Sequence, residues 1–224
     1  MLEMLLRNLQ KLGLPYGVVW GRDTPIIYRT DKLELIDSCF RIYPSDVPEQ
    51  IGEFNNHDSK SYCAAVLRDK ETKRLFTLMT THLWWKSDDK ESDHYQAGSD
   101  AARVFQINLA IDQLDELCKQ YDCPQILMGD LNTSYDSDPI YTAFTRGFSH
   151  AHDIAVDYAD ETNGWHPCGP MVFESYEPRP FTEGIDHILL RNIPDKFVLR
   201  FERDMPRDYL PLSDHAPAWI DANL

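Results

Sequence analysis

Residues 126–139 read ILMGDLNTSYDSDP, a short apolar run that ends in an acid and an amide two positions apart. The run sits between Pro124 and the Gly129-Asp130 pair, so it reads as a short buried strand rather than a helix. On an extended segment Asp130 and Asn132 would point the same way and present an acid and an amide to one site. Just beyond, Ser137 or Asp138 can cap a short helix whose first turn holds Pro139. On the N-terminal side, residues 101–121 carry Val104, Ile107, Ile111, Leu114 and Leu117 on one face of a long amphipathic helix. Residues 61–83, SYCAAVLRDKETKRLFTLMTTHL, are two strand-like runs about a charged turn, which predicts a hairpin.

Further out, YGVVW (16–20), PIIYR (25–29) and LELIDSCFRIY (33–43) are β-like, as are GIDHILLR (184–191), KFVLRFER (196–203) and APAWIDA (216–222). MLEMLLRNLQKLG places Leu2, Leu5, Leu6, Leu9 and Leu12 at helical spacings. The polar stretches 44–60 and 86–100 read as loops, the second long enough to carry function. Strands alternating with helices predict an α/β or mixed sandwich in a single domain, residues 1–224.

Composition narrows the partners. Of 224 residues 42% are hydrophobic and 26% charged, the balance of a soluble globular chain, with no apolar run long enough to span a bilayer. Glu3 and Arg7 interrupt the apolar opening, which makes it a poor signal peptide. Five scattered cysteines without a C-x-x-C pair argue against a disulfide framework or a zinc cluster and favour a reducing, cytoplasmic setting. A net charge of −15 weighs against tight binding to long nucleic acid. A divalent cation can nevertheless supply the local positive charge that an anionic ester needs.

Four segments join a polar pair to a β-like run: TTHLWW (80–85), GDLN (129–132), GIDHI (184–188) and LSDHAP (212–217). Singly, each has a plain structural explanation that outweighs a catalytic one. Asp130, Asn132 and Asp214 can cap turns, His82 can be a satisfied core histidine, and Asp186 can be a charge at a ladder edge. Together and in this order, with Arg103 and Gln106 in the long helix, they resemble the endonuclease/exonuclease/phosphatase superfamily along nearly the whole chain.

That resemblance implies a four-layered α/β sandwich of two mostly antiparallel sheets flanked by helices. It also implies hydrolysis of a phosphate ester with Mg²⁺ or Mn²⁺. Hard cations take oxygen ligands, which suits motifs rich in Asp and Asn, and a cation neutralises charge developing on the phosphate. Carried onto this chain, His215 is the general base, Asp186 fixes its tautomer and Asp214 contributes to the metal site. Asp130 orients the nucleophile, assists the leaving group or joins the metal site. Asn132 donates to a phosphate oxygen, and His82 binds the phosphate or stabilises its transition state. His187, next to Asp186, is expected to turn away and pack. One of Trp84 and Trp85 is expected in the core. His150 and His152 read as a loop pair rather than a metal site. His166, Glu174, Tyr176 and Arg179 lie in the region that shapes substrate choice.

The resemblance also implies a leading strand with an Asn, a helix, and a second strand ending in a Gln-Glu pair whose Glu binds metal. MLEMLLRNLQ corresponds to the helix after that pair, and no such segment precedes it here. The expectation is therefore a sheet short of two strands with an exposed apolar edge, in a fragment or in a form completed by a partner or a second copy. Such a chain would have weak metal affinity and low activity, restored by the missing segment. The expected substrate is a small molecule or single-stranded nucleic acid, with no membrane partner. The rival reading is a non-catalytic binding or scaffold relative that keeps the fold without turnover.

Overall fold

The computed structural model describes residues 2–158, 161–162, 179–203, 213 and 215–223. The order is α1 (Leu2–Lys11), β1 (Tyr16–Val19), β2 (Ile26–Arg29), β3 (Leu33–Ile42), β4 (Ser61–Asp69), β5 (Leu75–His82), α2 (Ser99–Tyr121) and β6 (Gln125–Asp130). There follow α3 (Asp138–Thr145), β7 (Ser149–His150), α4 (Ala151–Ile154), β8 (Asp157–Tyr158), β9 (Glu161–Thr162) and β10 (Arg179–Pro180). The last strands are β11 (Asp186–Arg191), β12 (Val198–Arg203) and β13 (Ala218–Ala222).

The central sheet has six strands in the order β3-β4-β5-β6-β11-β7. The predicted hairpin is β4–β5, antiparallel from Ser61↔His82 to Arg68↔Leu75. β5 and β6 run parallel, joined by the α2 crossover. β4 is buried on both faces, which is why SYCAAVL reads as a continuous apolar run rather than an alternating one. One face of this sheet packs on α2 and α3 through Met79, Ile107, Ile111, Leu114, Leu127 and Leu189. The other packs on β12, β13, β1 and β2 through Ile26, Ala65, Ile126, Ile188, Val198 and Phe201. Each fully buried Leu or Ile contributes roughly 1.5–3 kcal/mol relative to exposure, so these two faces dominate the stability.

The second β layer consists of β13-β12-β8, with β13 at its edge, and the two-stranded β1–β2. The result is a mixed α/β sandwich. α1 touches β1 and buries none of its residues, with Met4 and Leu5 exposed, as is Leu12 just after the helix.

The buried stripe of α2 differs from the expected one. Val104 is half-buried, and Arg103 and Gln106 are buried in its place. Gln106 accepts from the Trp84 backbone N–H at 2.7 Å and donates to the Phe54 carbonyl at 3.0 Å. Arg103 donates to the carbonyls of Trp84 and Lys86. The apolar pattern is broken here because these polar residues tie the segment after β5 to the helix. The start of α2 is held by the Asp88 carboxylate, which accepts from the backbone N–H groups of Gly98 and Asp100 at 3.0 Å each.

Candidate active site

Strand register assembles the site. Ser61 pairs with His82, His82 with Asp130, and Asp130 with Asp186, so one row crosses β4, β5, β6 and β11 at the end of the sheet. Paired residues share a face, and this row lies on the face covered by β12 and β13. His215, just before β13, completes it.

The close approach of these strands depends on glycine. Gly129 has φ +143°, and a Cβ there would stand 1.9 Å from the Thr81 carbonyl oxygen. Gly184 leaves room for the Arg203 guanidinium, which lies where its Cβ would be and donates to the Asp186 carbonyl.

His215 Nδ1 is 2.7 Å from Asp186 Oδ2, a charge-assisted hydrogen bond that puts the proton on Nδ1. His215 Nε2 looks toward Asp130 Oδ2 at 4.0 Å. Burial, followed by the charge of Asp186, pushes the Asp130 carboxyl up to about 6. Thr80, Gly129, Asp186, Ser213 and His215 line a cavity of about 250 Å³. A larger cavity of about 500 Å³ lies at the opposite end of β5 and β6, between Leu75, Pro124 and Phe197, remote from these carboxylates.

Asn132 departs from the expected extended geometry. β6 ends at Asp130 and Asn132 is left-handed, with φ 51°, a conformation Asn tolerates better than most residues. Its backbone N–H donates to Asp130 Oδ1 at 2.9 Å, and its side-chain amide donates to the Leu83 carbonyl at 3.0 Å. The acid and the amide are therefore brought to one rim by a tight turn rather than by strand alternation.

Lys60 was not singled out by sequence. It is 4% exposed and its Nζ lies 2.5 Å from His82 Nε2. Asn55 anchors it, donating to the Tyr43 and Lys60 carbonyls at 2.6 and 2.9 Å and accepting the Lys60 backbone N–H at 2.8 Å. Burial brings the ammonium down to about 8, against the raising effect of Asp130 and Asp23.

Burial first, then the charges of Lys60 and His215, bring His82 down to about 4, so it is neutral near pH 7. An ammonium can only donate, so His82 Nε2 accepts from Lys60 and carries its proton on Nδ1. Its 3.4 Å approach to Asp130 is accordingly not an ion pair. Lys60 therefore brings a positive charge to the His82–Asp130 side of the site, and the Arg203 guanidinium brings one behind Asp186.

Among the other expected residues, Trp84 is fully buried and Trp85 is 40% exposed, so one of the pair is core. Trp85 packs edge-on against His94. His150 and His152 are not a loop pair: His150 ends β7, His152 lies in α4, and both are buried. His187 is buried on the opposite face of β11 from Asp186. Asp214, His166, Glu174 and Tyr176 lie outside the described residues, and so does the side chain of Arg179. Among the described residues no three His, Cys, Asp or Glu side chains are arranged to hold a metal ion between them, and no helix is long and apolar enough to cross a membrane.

A family model described as Endonuclease/Exonuclease/phosphatase family matches residues 25–215. No curated protein matches the chain. Several solved structures share the fold. An endonuclease/exonuclease/phosphatase family protein from Bacteroides thetaiotaomicron is 22% identical, with a TM-score of 0.67 over 97% of this chain and 78% of that one. Mannosyl-6-phosphatase from Bacteroides thetaiotaomicron VPI-5482 is 21% identical, with a TM-score of 0.64 over 98% and 82%. D. rerio TDP2, complexed with a single-strand DNA product, is 16% identical, with a TM-score of 0.59 over 98% and 81%.

Proposed function

Because the chain belongs to the Endonuclease/Exonuclease/phosphatase family, we propose that it is a metal-dependent hydrolase of phosphate esters, with His215 activating water. The observation that carries this reading is the 2.7 Å bond from His215 Nδ1 to Asp186, set beside Asp130 in one strand-register row. With its proton held on Nδ1, His215 has its lone pair on Nε2, the atom that takes a proton from the attacking water. Asp186 stabilises the imidazolium that results.

Lys60 offers an ammonium to a phosphate oxygen, and His82 holds that ammonium in place. Asn132, with one amide N–H given to Leu83, has a second N–H for another phosphate oxygen. The donor chemistry fits a hard divalent cation such as Mg²⁺ or Mn²⁺. Asp130 is a buried carboxylate whose ionised form is disfavoured by Asp186 beside it, and a cation would relieve both effects. Asp130 would hold the ion, with Asp214 as the further ligand. A bound cation would neutralise charge developing on the phosphate.

A small phosphorylated molecule or single-stranded nucleic acid is the proposed substrate class, a reading in keeping with the mannosyl-6-phosphatase and the TDP2 complexed with a single-strand DNA product among the neighbours of the same fold. The test is hydrolysis of p-nitrophenyl phosphate and bis-p-nitrophenyl phosphate with Mg²⁺ or Mn²⁺, on the wild type and His215→Ala. Metal-dependent turnover lost in His215→Ala supports the proposal, and the preferred ester separates phosphatase from phosphodiesterase. Turnover that survives the substitution would sink it.

A further inference from the structure

Alternation along β11 gives Asp186 to the dyad and sends His187 to the other side of the sheet. His187 is not merely packed there. Its Nε2 lies 2.8 Å from the Thr133 carbonyl oxygen, and its Nδ1 lies 3.2 Å from His150 Nε2. The His152 backbone N–H in turn donates to His150 Nδ1 at 3.2 Å.

A carbonyl only accepts and a backbone N–H only donates, so both ends of this chain have fixed polarity. His187 therefore carries its proton on Nε2 and donates to Thr133, and its Nδ1 receives the Nε2–H of His150. Burial keeps both rings neutral: it holds His187 down at about 4 and His150 well below the usual histidine value. Two neutral imidazoles thus form a one-way hydrogen-bond chain that ends on the turn carrying Asn132.

That turn contains the left-handed Asn132. Its start is tied by the Asn132 backbone N–H to Asp130 and by the Asn132 side-chain amide to the Leu83 carbonyl, as described above. Leu131 N–H donates to the Ile185 carbonyl at 2.9 Å and Tyr135 N–H to the Thr182 carbonyl at 3.0 Å. None of these bonds reaches the carbonyl side of Thr133, the residue that follows Asn132. We propose that His187, its tautomer set by His150, is a positioning residue that fixes this turn and so aims the Asn132 amide at the substrate phosphate. The inference rests on the functional reading above, in which Asn132 donates to that phosphate.

The experiment compares His187→Phe, which keeps a ring but removes the donor, with His187→Gln, whose amide N–H reaches to about the same place. Steady-state hydrolysis of bis-p-nitrophenyl phosphate with Mn²⁺ is measured beside hydrogen exchange at the Asn132 amide. His187→Phe is expected to lower kcat about 10-fold with KM within about 2-fold, and His187→Gln to recover most of that loss. In an Asn132→Ala background, His187→Phe should add no further loss. An equal loss in both backgrounds, or wild-type kcat in the Phe variant, overturns the proposal. If wild type hydrolyses no ester, the functional reading fails by itself. Exchange at Asn132 then decides: faster exchange in His187→Phe than in His187→Gln supports the positioning role, and equal exchange refutes it. Should His187→Phe not fold, His150→Phe releases the tautomer while leaving the Thr133 bond in place. It is expected to lower kcat about 3-fold, and an unchanged kcat there also refutes the role.

Discussion

Replacing Lys60 with Met should make the protein more stable and less active. The ammonium is held almost out of water, and its fall from 10.5 to about 8 measures how much the folded state disfavours the charge. At about 1.36 kcal/mol per pH unit, that difference corresponds to about 3 kcal/mol. Methionine fills a similar volume without a charge, so Lys60→Met should gain about 2–3 kcal/mol at pH 7, or roughly 5–10 °C in Tm for a chain of this size.

The sign is fixed by proton counting. Between pH 8 and 10.5 the unfolded chain keeps a proton that folded Lys60 has lost. The wild-type penalty is therefore full below about 8 and fades as pH approaches 10.5. The assay is urea unfolding of metal-free wild type and variant at a series of pH values, because a bound cation would add its own stabilisation. The gain should shrink by about 1.4 kcal/mol per pH unit across that window. Hydrolysis by the variant should fall about 10²-fold, the usual loss when one charge-stabilising donor is removed. A variant less stable than wild type at pH 7, or a gain unchanged from pH 7 to 10.5, would refute the reasoning.

Asp186→Asn leaves the shape of the dyad but removes the carboxylate charge and can turn an amide N–H toward His215 Nδ1, which selects the wrong tautomer; kcat should fall about 10³–10⁴-fold with little change in KM in steady-state assays. Asp130→Asn should stabilise the metal-free protein by about 3 kcal/mol above pH 6, because burial and Asp186 disfavour the ionised carboxyl. That gain should vanish below about pH 4, where Asp130 is protonated in both states. The rise in Tm produced by Mn²⁺ in wild type should be lost in the same variant. Trp84→Ala should cost about 3–5 kcal/mol in chemical denaturation as a core truncation. Trp85→Ala should cost less than about 1 kcal/mol, and comparable losses would show the two indoles to be equally structural.

What was legible in the sequence was whatever is encoded locally. The β4–β5 hairpin, the α2 crossover and the GDLN strand end each declare themselves by period and turn residues. The four motifs mark strand ends, and strand register is what brings His82, Asp130 and Asp186 into line. Lys60 was hidden because its role depends on His82, 22 residues away, and on Asn55, which anchors it from within a loop. The available signal was its position immediately before SYCAAVL, a run buried on both faces. Asn132 was placed by the geometry of a strand that had already ended; the cue for a turn was an Asx residue two positions after Asp130. The α2 stripe was read as apolar throughout, whereas Arg103 and Gln106 are buried by backbone groups of distant loops, which no periodicity reveals.

The row from Ser61 to Asp186 makes the geometry of the candidate site a property of hydrogen-bond pairing rather than of any one loop. Sheet side chains repeat every two residues, so a one-residue slip of β6 against β5 would move Asp130 to the helix-covered face and leave its former place to a neighbour. A misregistered chain could keep nearly all its secondary structure and still have no site. The five segments that supply Lys60, His82, Asp130, Asp186 and His215 must each be threaded correctly before any of them can work together. Turnover in this architecture is consequently a stricter gauge of correct refolding than circular dichroism, which sees strands but not which strand residue faces which.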